Sequence, residues 1–487
     1  GFRPFGPMQS TMDFQHSYAG LEGPFHAPAE LPGFKAPRLF AWNDALAETL
    51  GLGGLADAAS EAGRNQLARW FSGSEPLPGA RPIAQAYAGH QFGQFVPQLG
   101  DGRAALLGEA VDAEGRRWDI QLKGSGRTDF SRGGDGKSSL GPVVREYLLS
   151  EAMHALGVPT TRALAAVATG EHVFRDRAEP GGVFTRVASS HLRIGTFQYF
   201  AARGQNDALR ALADYAIARH DPAAADAEQP YLALFAGVVE RQSRLVAHWL
   251  SIGFIHGVMN TDNTAISGET LDYGPCAFMD EFAHQKVFSS IDRHGRYAYG
   301  NQPTIVHWNL ARLAECLLVL DEDLEGFQAA LDRCPKILGE EYLRRMGAKL
   351  GLRDPQPADR ALVDDFLEEL EEGSLDFTVS FRDLADRVQA EDTAGFGEWE
   401  QRWRARLAAQ GDAPEATRAL MNSVNPAVIP RNHQVERAIQ AAFAGDFSVF
   451  RELHEVLQTP FQAQPGKEAF GLPPEEGERV TRTFCGT

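Results

Sequence analysis

The chain has 487 residues, 43% hydrophobic and 23% charged, the proportions of a globular protein long enough to fold as two or three packed units. Lys and Arg total 47 against 65 Asp and Glu, a formal charge of −18 that argues against a binder of nucleic-acid backbone. Cys276, Cys316, Cys334 and Cys485 form no zinc-type spacing, no apolar run approaches the roughly 18 residues of a membrane span, and no signal peptide is visible, so a soluble cytoplasmic protein with no membrane partner is expected.

The first half is dense in Gly and short apolar runs. RAALLGEAV and RWDIQLKG read as strands, and Gly100-Asp101-Gly102 and Gly133-Gly134-Asp135-Gly136 as turns among strand-like pieces from 82 to 193. One helix interrupts them: GPVVREYLLSEAMHALG opens near Pro142, stops at Gly157, and repeats Val144, Leu148, Met153 and Leu156 at near-helical spacing, with Glu146 on a side this stripe leaves free. From about residue 206 the pattern is helical, with YLALFAGVVERQSRLVAHWLSIG before and TIVHWNLARLAECLLVL after the segment FIHGVMNTDNTAISGETLDYGP, which is expected as a loop between helices. Beyond 340 come amphipathic helices, including the acidic DRALVDDFLEELEEG with a solvated face, and residues 464–487 are expected to be extended.

This order predicts an α+β, two-lobed, protein-kinase-like fold with a helical C-terminal extension. Residues 1–205 would form the N-terminal lobe with the nucleotide-binding strands, 206–340 the helical lobe with the catalytic and metal loop, and 341–487 the extension and tail.

A kinase centre carries His-Arg-Asp, an Asn five residues after that Asp, and then Asp-Phe-Gly, because base and metal ligands must converge on ATP. Here Val258 stands where the base belongs, two residues after His256, while Asn263 keeps its distance and Asp272-Tyr273-Gly274 follows. An amide oxygen and a carboxylate suit a hard cation that completes its shell with phosphates and water, although Asn and Asp also form turns. Asp262 is either a displaced base or a turn cap, and His256 is read as a structural histidine. Lys123 at a strand end and Glu146 on the next helix match the ion pair that positions a phosphate-binding lysine. Gly100-Asp101-Gly102-Arg103 and Gly133 to Lys137 suit either phosphate approach or hairpin turns; Ser131 breaks a Walker A match and a missing third Gly breaks a Rossmann match. Arg186 and Arg193 offer guanidinium forks to phosphate or to acidic side chains.

The blocks YAGHQFGQFVPQLGDGRAALLGE, DIQLKGSGRTDFSRGGDGKSSLGPVVREYLLSEAMHALGVPTTRAL, FTRVASSHLRIGTFQYF and GFIHGVMNTDNTAISGETLDYGP cover most of residues 87–275. They resemble the selenoprotein O family of kinase-like protein adenylyltransferases. The resemblance implies ATP held reversed in the cleft, AMP transferred to Ser, Thr or Tyr hydroxyls of proteins, pyrophosphate released, and Mg2+ or Mn2+ as the cofactor. It implies that Gly100, Gly102, Arg103, Lys123, Asp135, Gly136, Arg186, Arg193 and Asp272 hold the nucleotide, Glu146 pairs with Lys123, Asn263 and Asp272 hold the metal, and Asp262 is the base. Cys485 stands where relatives carry selenocysteine, which suggests redox control, with Cys276 too near Asp272 in sequence for the intramolecular bridge some relatives form. Two alternatives remain open: a phosphotransferase using Asp262 as its base, and a non-catalytic nucleotide-binding scaffold. Asp272→Ala is expected to remove a metal ligand without disturbing the fold.

Overall fold

The structure is a computed structural model that describes residues 13–392 and 395–485. Its first part is built on one antiparallel sheet. Strands β1 (His26–Pro28), β2 (Arg38–Trp42), β3 (Ile83–Gln85), β6 (Ala104–Val111), β7 (Arg117–Lys123), β9 (Arg162–Phe174) and β10 (Ala178–Ala188) run in the order β1-β3-β6-β7-β10-β9-β2, and β8 (Ser138–Ser139) adds to β10. A separate small hairpin, β4 (Gly89–Gln91) with β5 (Gln94–Val96), lies off the sheet.

Side chains alternate across a strand, so Asp119, Gln121 and Lys123 of β7 share one face while Ile120 and Leu122 take the other. The apolar face packs on helices α1 (Asp44–Thr49) and α2 (Glu61–Trp70) through Leu46, Leu67 and Phe71. Arg186 of β10 lies opposite Gln121 and Phe184 opposite Lys123, which puts Arg186 on the polar face. Helix α3 (Leu140–Ala155) covers that face. Ser139 caps its N-terminus, and Gly157, with φ +84°, ends it in the left-handed conformation.

The expectation that α3 has a free side is corrected: Glu146 is buried, because the sheet lies on one side of the helix and α13 (Asn432–Phe443) and α14 (Ser448–Leu457) pack on another.

Helices α4 (Ile194–Ala201), α5 (Asn206–His220), α6 (Pro230–Ile252), α7 (Gln302–Leu317) and α8 (Leu324–Lys349) form the second mass around the largest apolar cluster. Gly253, at φ +75°, terminates α6. The segment after it is not a bare loop between helices as expected: β11 (Phe254–Ile255) and β12 (Ala277–Phe278) pair and fasten its two ends together. Then follow α9 (Arg360–Glu372), α10 (Phe377–Leu384), α11 (Gly397–Gln410) and α12 (Pro414–Val424). Helix α9 buries Leu362, Phe366 and Leu370 and turns its acidic residues outward, as its pattern predicts. The tail has little regular structure but returns to the body. Thr483 bridges Ser289, and its hydroxyl donates to the Pro275 carbonyl.

Candidate active site

Asp272 adopts φ +64°, an uncommon conformation for a residue with a side chain, and is surrounded by positive charge. Its carboxylate accepts from Arg186 at 2.6 Å and from Arg193, with Lys123 Nζ at 3.6 Å. Lys123 also reaches Glu146 Oε1 at 3.4 Å, as does Arg186. Burial alone would raise the Asp272 pKa, but Arg193, Arg186 and Lys123 outweigh it and hold the carboxyl well below the usual range. Lys123, Arg186 and Arg193 thus converge on Glu146 and Asp272 in a largely buried place, an arrangement that can present several cationic donors to phosphate oxygens.

Arg186 is itself held. It donates to Gln121 Oε1 at 2.7 Å, and its Nε–H donates to His191 Nε2 at 3.3 Å. That bond makes Nε2 an acceptor, so Nδ1 carries the proton and donates to Asp119 Oδ2 at 3.0 Å. Burial lowers the His191 pKa to about 4, which keeps the ring neutral. Arg219 of α5 completes the chain by donating to Asp119 at 3.0 Å.

In the segment 254–275, His256 is structural, as the sequence suggests. Its Nε2–H donates to the Leu271 carbonyl at 2.7 Å, Nδ1 accepts from the Val258 amide, and Trp249 stacks on the ring. Burial lowers its pKa, so it stays neutral. The Val258 carbonyl accepts from Asn263 Nδ2 at 2.8 Å, which commits the donor end of the amide to the loop and makes its oxygen the end that can address a cation.

Asp262 lies in a 3-10 turn, Thr261–Asn263, between β4 and α4. Its Oδ1 is buried without a hydrogen-bond partner, its Oδ2 accepts from Gln91 at 3.4 Å, and its carbonyl accepts from Arg193 at 2.7 Å. Burial pushes its pKa up to about 7, against the lowering effect of Arg193. Two glycines make room for it: a Cβ on Gly89 would sit 2.2 Å from Asp262 Oδ1, and one on Gly195 would sit 2.0 Å from the Ala88 carbonyl and 3.2 Å from Asp262 Cα.

The loop 100–103 lies under the loop 124–137. Thr128 Oγ1 donates to the Asp101 carbonyl, Ser131 Oγ to the Gly102 carbonyl, and the Gly124 amide to the Arg103 carbonyl at 2.7 Å, which joins the pair to the end of β7 beside Lys123. These glycines answer to packing. A Cβ on Gly100 would meet the Phe130 ring at 2.6 Å, and one on Gly136 would meet the Gly126 carbonyl at 2.0 Å. Gly133 to Gly136 is therefore part of one long loop docked on another, not a hairpin turn.

The fold thus gathers Lys123, Glu146, Arg186, Arg193, Asp262 and Asp272, with Asn263 next to Asp262, while Gly100, Gly102 and Arg103 join the cluster only through the bond from Gly124, beside Lys123, to the Arg103 carbonyl. Asp135 is not drawn into the charge cluster: its half-exposed carboxylate faces Arg175 at 3.3 Å and caps Lys137. Cys485 is not on a free tail as expected, since its Cα lies 3.5 Å from where a Gly274 Cβ would be. Burial raises the pKa of both Cys485 and Cys276, and both thiols are free, so neither is a primed thiolate. Sequence reasoning missed Gly89, Gln91, Asp119, Gln121 and His191. The signal for two of them was present, because Asp119-x-Gln121-x-Lys123 places three polar side chains on one face of a strand.

Among the described residues no group of three or more His, Cys, Asp or Glu can hold a metal. A cation here would draw on the Asn263 oxygen and the Asp272 carboxylate, with phosphate oxygens and water for the rest, a donor set that fits a hard divalent ion.

Clustered cationic donors beside a buried carboxylate suit chemistry on phosphate esters. The sequence profile of the family described as protein adenylyltransferase SelO matches residues 9–458. A Rhodopseudomonas palustris protein named protein nucleotidyltransferase YdiU is 55% identical over 97% of this chain and 99% of that protein. Proteins of the same name from Nitrobacter hamburgensis and Bradyrhizobium diazoefficiens are 52% and 53% identical, each over 97% of this chain and over 96% and 99% of their own lengths. The chain belongs to the SelO family of protein adenylyltransferases.

Proposed function

We propose that the protein transfers AMP from ATP to Ser, Thr or Tyr hydroxyls of other proteins and releases pyrophosphate. Membership in the SelO family carries AMP transfer over phosphate transfer, and Asp262 supplies the base the reaction needs: a buried carboxylate with an unpartnered oxygen, bonded through its own carbonyl to Arg193, which in turn grips Asp272. In this reading the acceptor oxygen attacks the α-phosphorus, the bond from that phosphorus to the bridging oxygen of pyrophosphate breaks, and the hydroxyl proton passes to Asp262. Lys123, Arg186 and Arg193 neutralise the phosphates, with Glu146, Gln121 and His191 fixing the direction of Lys123 and Arg186. Mg2+ or Mn2+ on Asn263 and Asp272 would add Lewis-acid charge at the phosphates. Gly100, Gly102, Arg103, Asp135 and Gly136 would line the triphosphate side.

The element order supports a two-lobed kinase-like arrangement, with residues 1–205 and 206–340 as the lobes and 341–487 as the extension. No helix of the described residues is long and apolar enough to cross a membrane. ATP labelled separately at the α- and γ-phosphates provides the test. Label entering protein from the α position and not from the γ position is expected, and entry from γ alone would make the enzyme a kinase.

A further inference from the structure

The hairpin β4–β5 is pinned to the catalytic segment. The Phe92 amide donates to Asn260 Oδ1 at 3.2 Å and Tyr297 Oη at 3.1 Å, and Gln91 reaches Asp262. Its outer side is apolar and exposed at Phe95, which is 38% accessible and packs on His90, and His90 in turn meets Trp308 of α7 at 5.1 Å. Arginines flank this aromatic ridge. Arg296 lies over Trp308 at 5.0 Å, Arg312 over the same ring at 4.5 Å, and on the other side Arg203 stacks on Tyr199 at 3.6 Å while donating to the Pro97 carbonyl. These guanidiniums are held by ring faces rather than by a cage of carboxylates. Arg312 alone of the three has an ion-pair partner among the described residues, Glu315 at 3.1 Å. A positive, aromatic strip is unexpected by chance on a chain of charge −18, and it sits at the door of the proposed base.

We infer that this strip is the docking surface for the protein substrate, and that it takes an acidic segment of polypeptide whose Ser, Thr or Tyr hydroxyl then reaches Asp262. The inference rests on the AMP-transfer reading for that last step. The exposed Arg203 and the half-buried Arg296 and Arg312 place positive charge beside the strip for carboxylates, and Phe95 and Trp308 offer a surface for the apolar parts of the same segment.

Two peptides of equal length, each with one Ser, one Thr and one Tyr, flanked by Glu in one and by Lys in the other, separate the possibilities. Binding is read by fluorescence anisotropy and transfer by label from α-labelled ATP. The Glu-flanked peptide is expected to bind about tenfold more tightly, with a preference that shrinks as salt rises. The pair R296E/R312E, and separately R203E at an exposed position, should erase the preference while ATP-analogue binding is kept. Equal binding of both peptides to the native protein, or a preference that survives all three charge reversals, would overturn the docking surface. Acidic peptide that binds but takes no α-label leaves the surface standing and removes the transfer reading. Label entering both peptides equally, with equal affinity, does the reverse.

Discussion

Asp272→Ala is the perturbation on which the structure and the sequence reading part. By sequence, the change removes a metal ligand and nothing else. In the structure it also strips the directly bonded counter-charge from Arg186 and Arg193, which are 1% and 3% exposed, and leaves Arg193 with no carboxylate in ion-pair contact among the described residues. Breaking a buried ion pair by deleting one partner costs about 3–5 kcal/mol, because the remaining charge stays out of water. For a chain of this length that lowers the thermal midpoint by on the order of 5 °C. Asp272→Asn keeps an acceptor for one guanidinium and should lose less, while Arg193→Met added to Asp272→Ala should recover part of the loss, since the orphaned charge is then gone. The assay is calorimetry in metal-free buffer, repeated with an ATP analogue, whose phosphates can replace the missing anion and should stabilise the variant more than the native protein. An Asp272→Ala protein that melts with the native one in metal-free buffer would refute the reasoning, because the two guanidiniums would then not depend on this carboxylate.

Asp262→Asn should cut AMP transfer about 100-fold or more while ATP-analogue binding stays within a few-fold, and substantial residual transfer would show that another group takes the proton. Gly89→Ala places a methyl where Asp262 Oδ1 now lies, so transfer should fall by about tenfold or more with nucleotide affinity kept; an active variant would mean the β4 backbone does not set the acid's position. Glu269 is buried, and burial pushes its pKa up to about 7, so the folded state binds more protons than the unfolded one between about pH 4 and that value. Its contribution is therefore fully present below the unfolded pKa and is lost as pH rises through 7. Glu269→Gln should be more stable than the native protein by roughly 1–3 kcal/mol above pH 7, with little difference at pH 4; urea midpoints that stay parallel across this range would count against it.

What the sequence displayed was local. Lys123 at a strand end, Glu146 on a helix and Asn263 before Asp272 are spacings a single chain exposes; the folded protein brings Lys123, Glu146 and Asp272 into contact, and Asn263 follows Asp262, whose carbonyl bonds the arginine that holds Asp272. What it concealed was contact between distant segments. Nothing near Gly89 announces that it must stay bare for Asp262, and the partners of Arg186 come from β7, α3 and the Asp272 loop. The glycines at 100 and 136 also hide a packing demand behind their phosphate-loop pattern: a Cβ at either would meet Phe130 or Gly126. Periodicity misjudged α3 for a related reason, since helices nearly 300 residues later in the chain cover its second side.

That covering has a consequence for control. In kinases the glutamate-bearing helix swings outward to switch the enzyme off, separating its acid from the lysine. Here Tyr147 of α3 packs against Phe450 and His454 of α14, and Leu140, Val143 and Val144 share an apolar cluster with Val435 and Ile439 of α13. To retract Glu146 the protein would have to peel away its own C-terminal helices and expose that cluster to water. The packing thus holds Glu146 beside Lys123, and separating the two by a helix swing would expose that cluster to water.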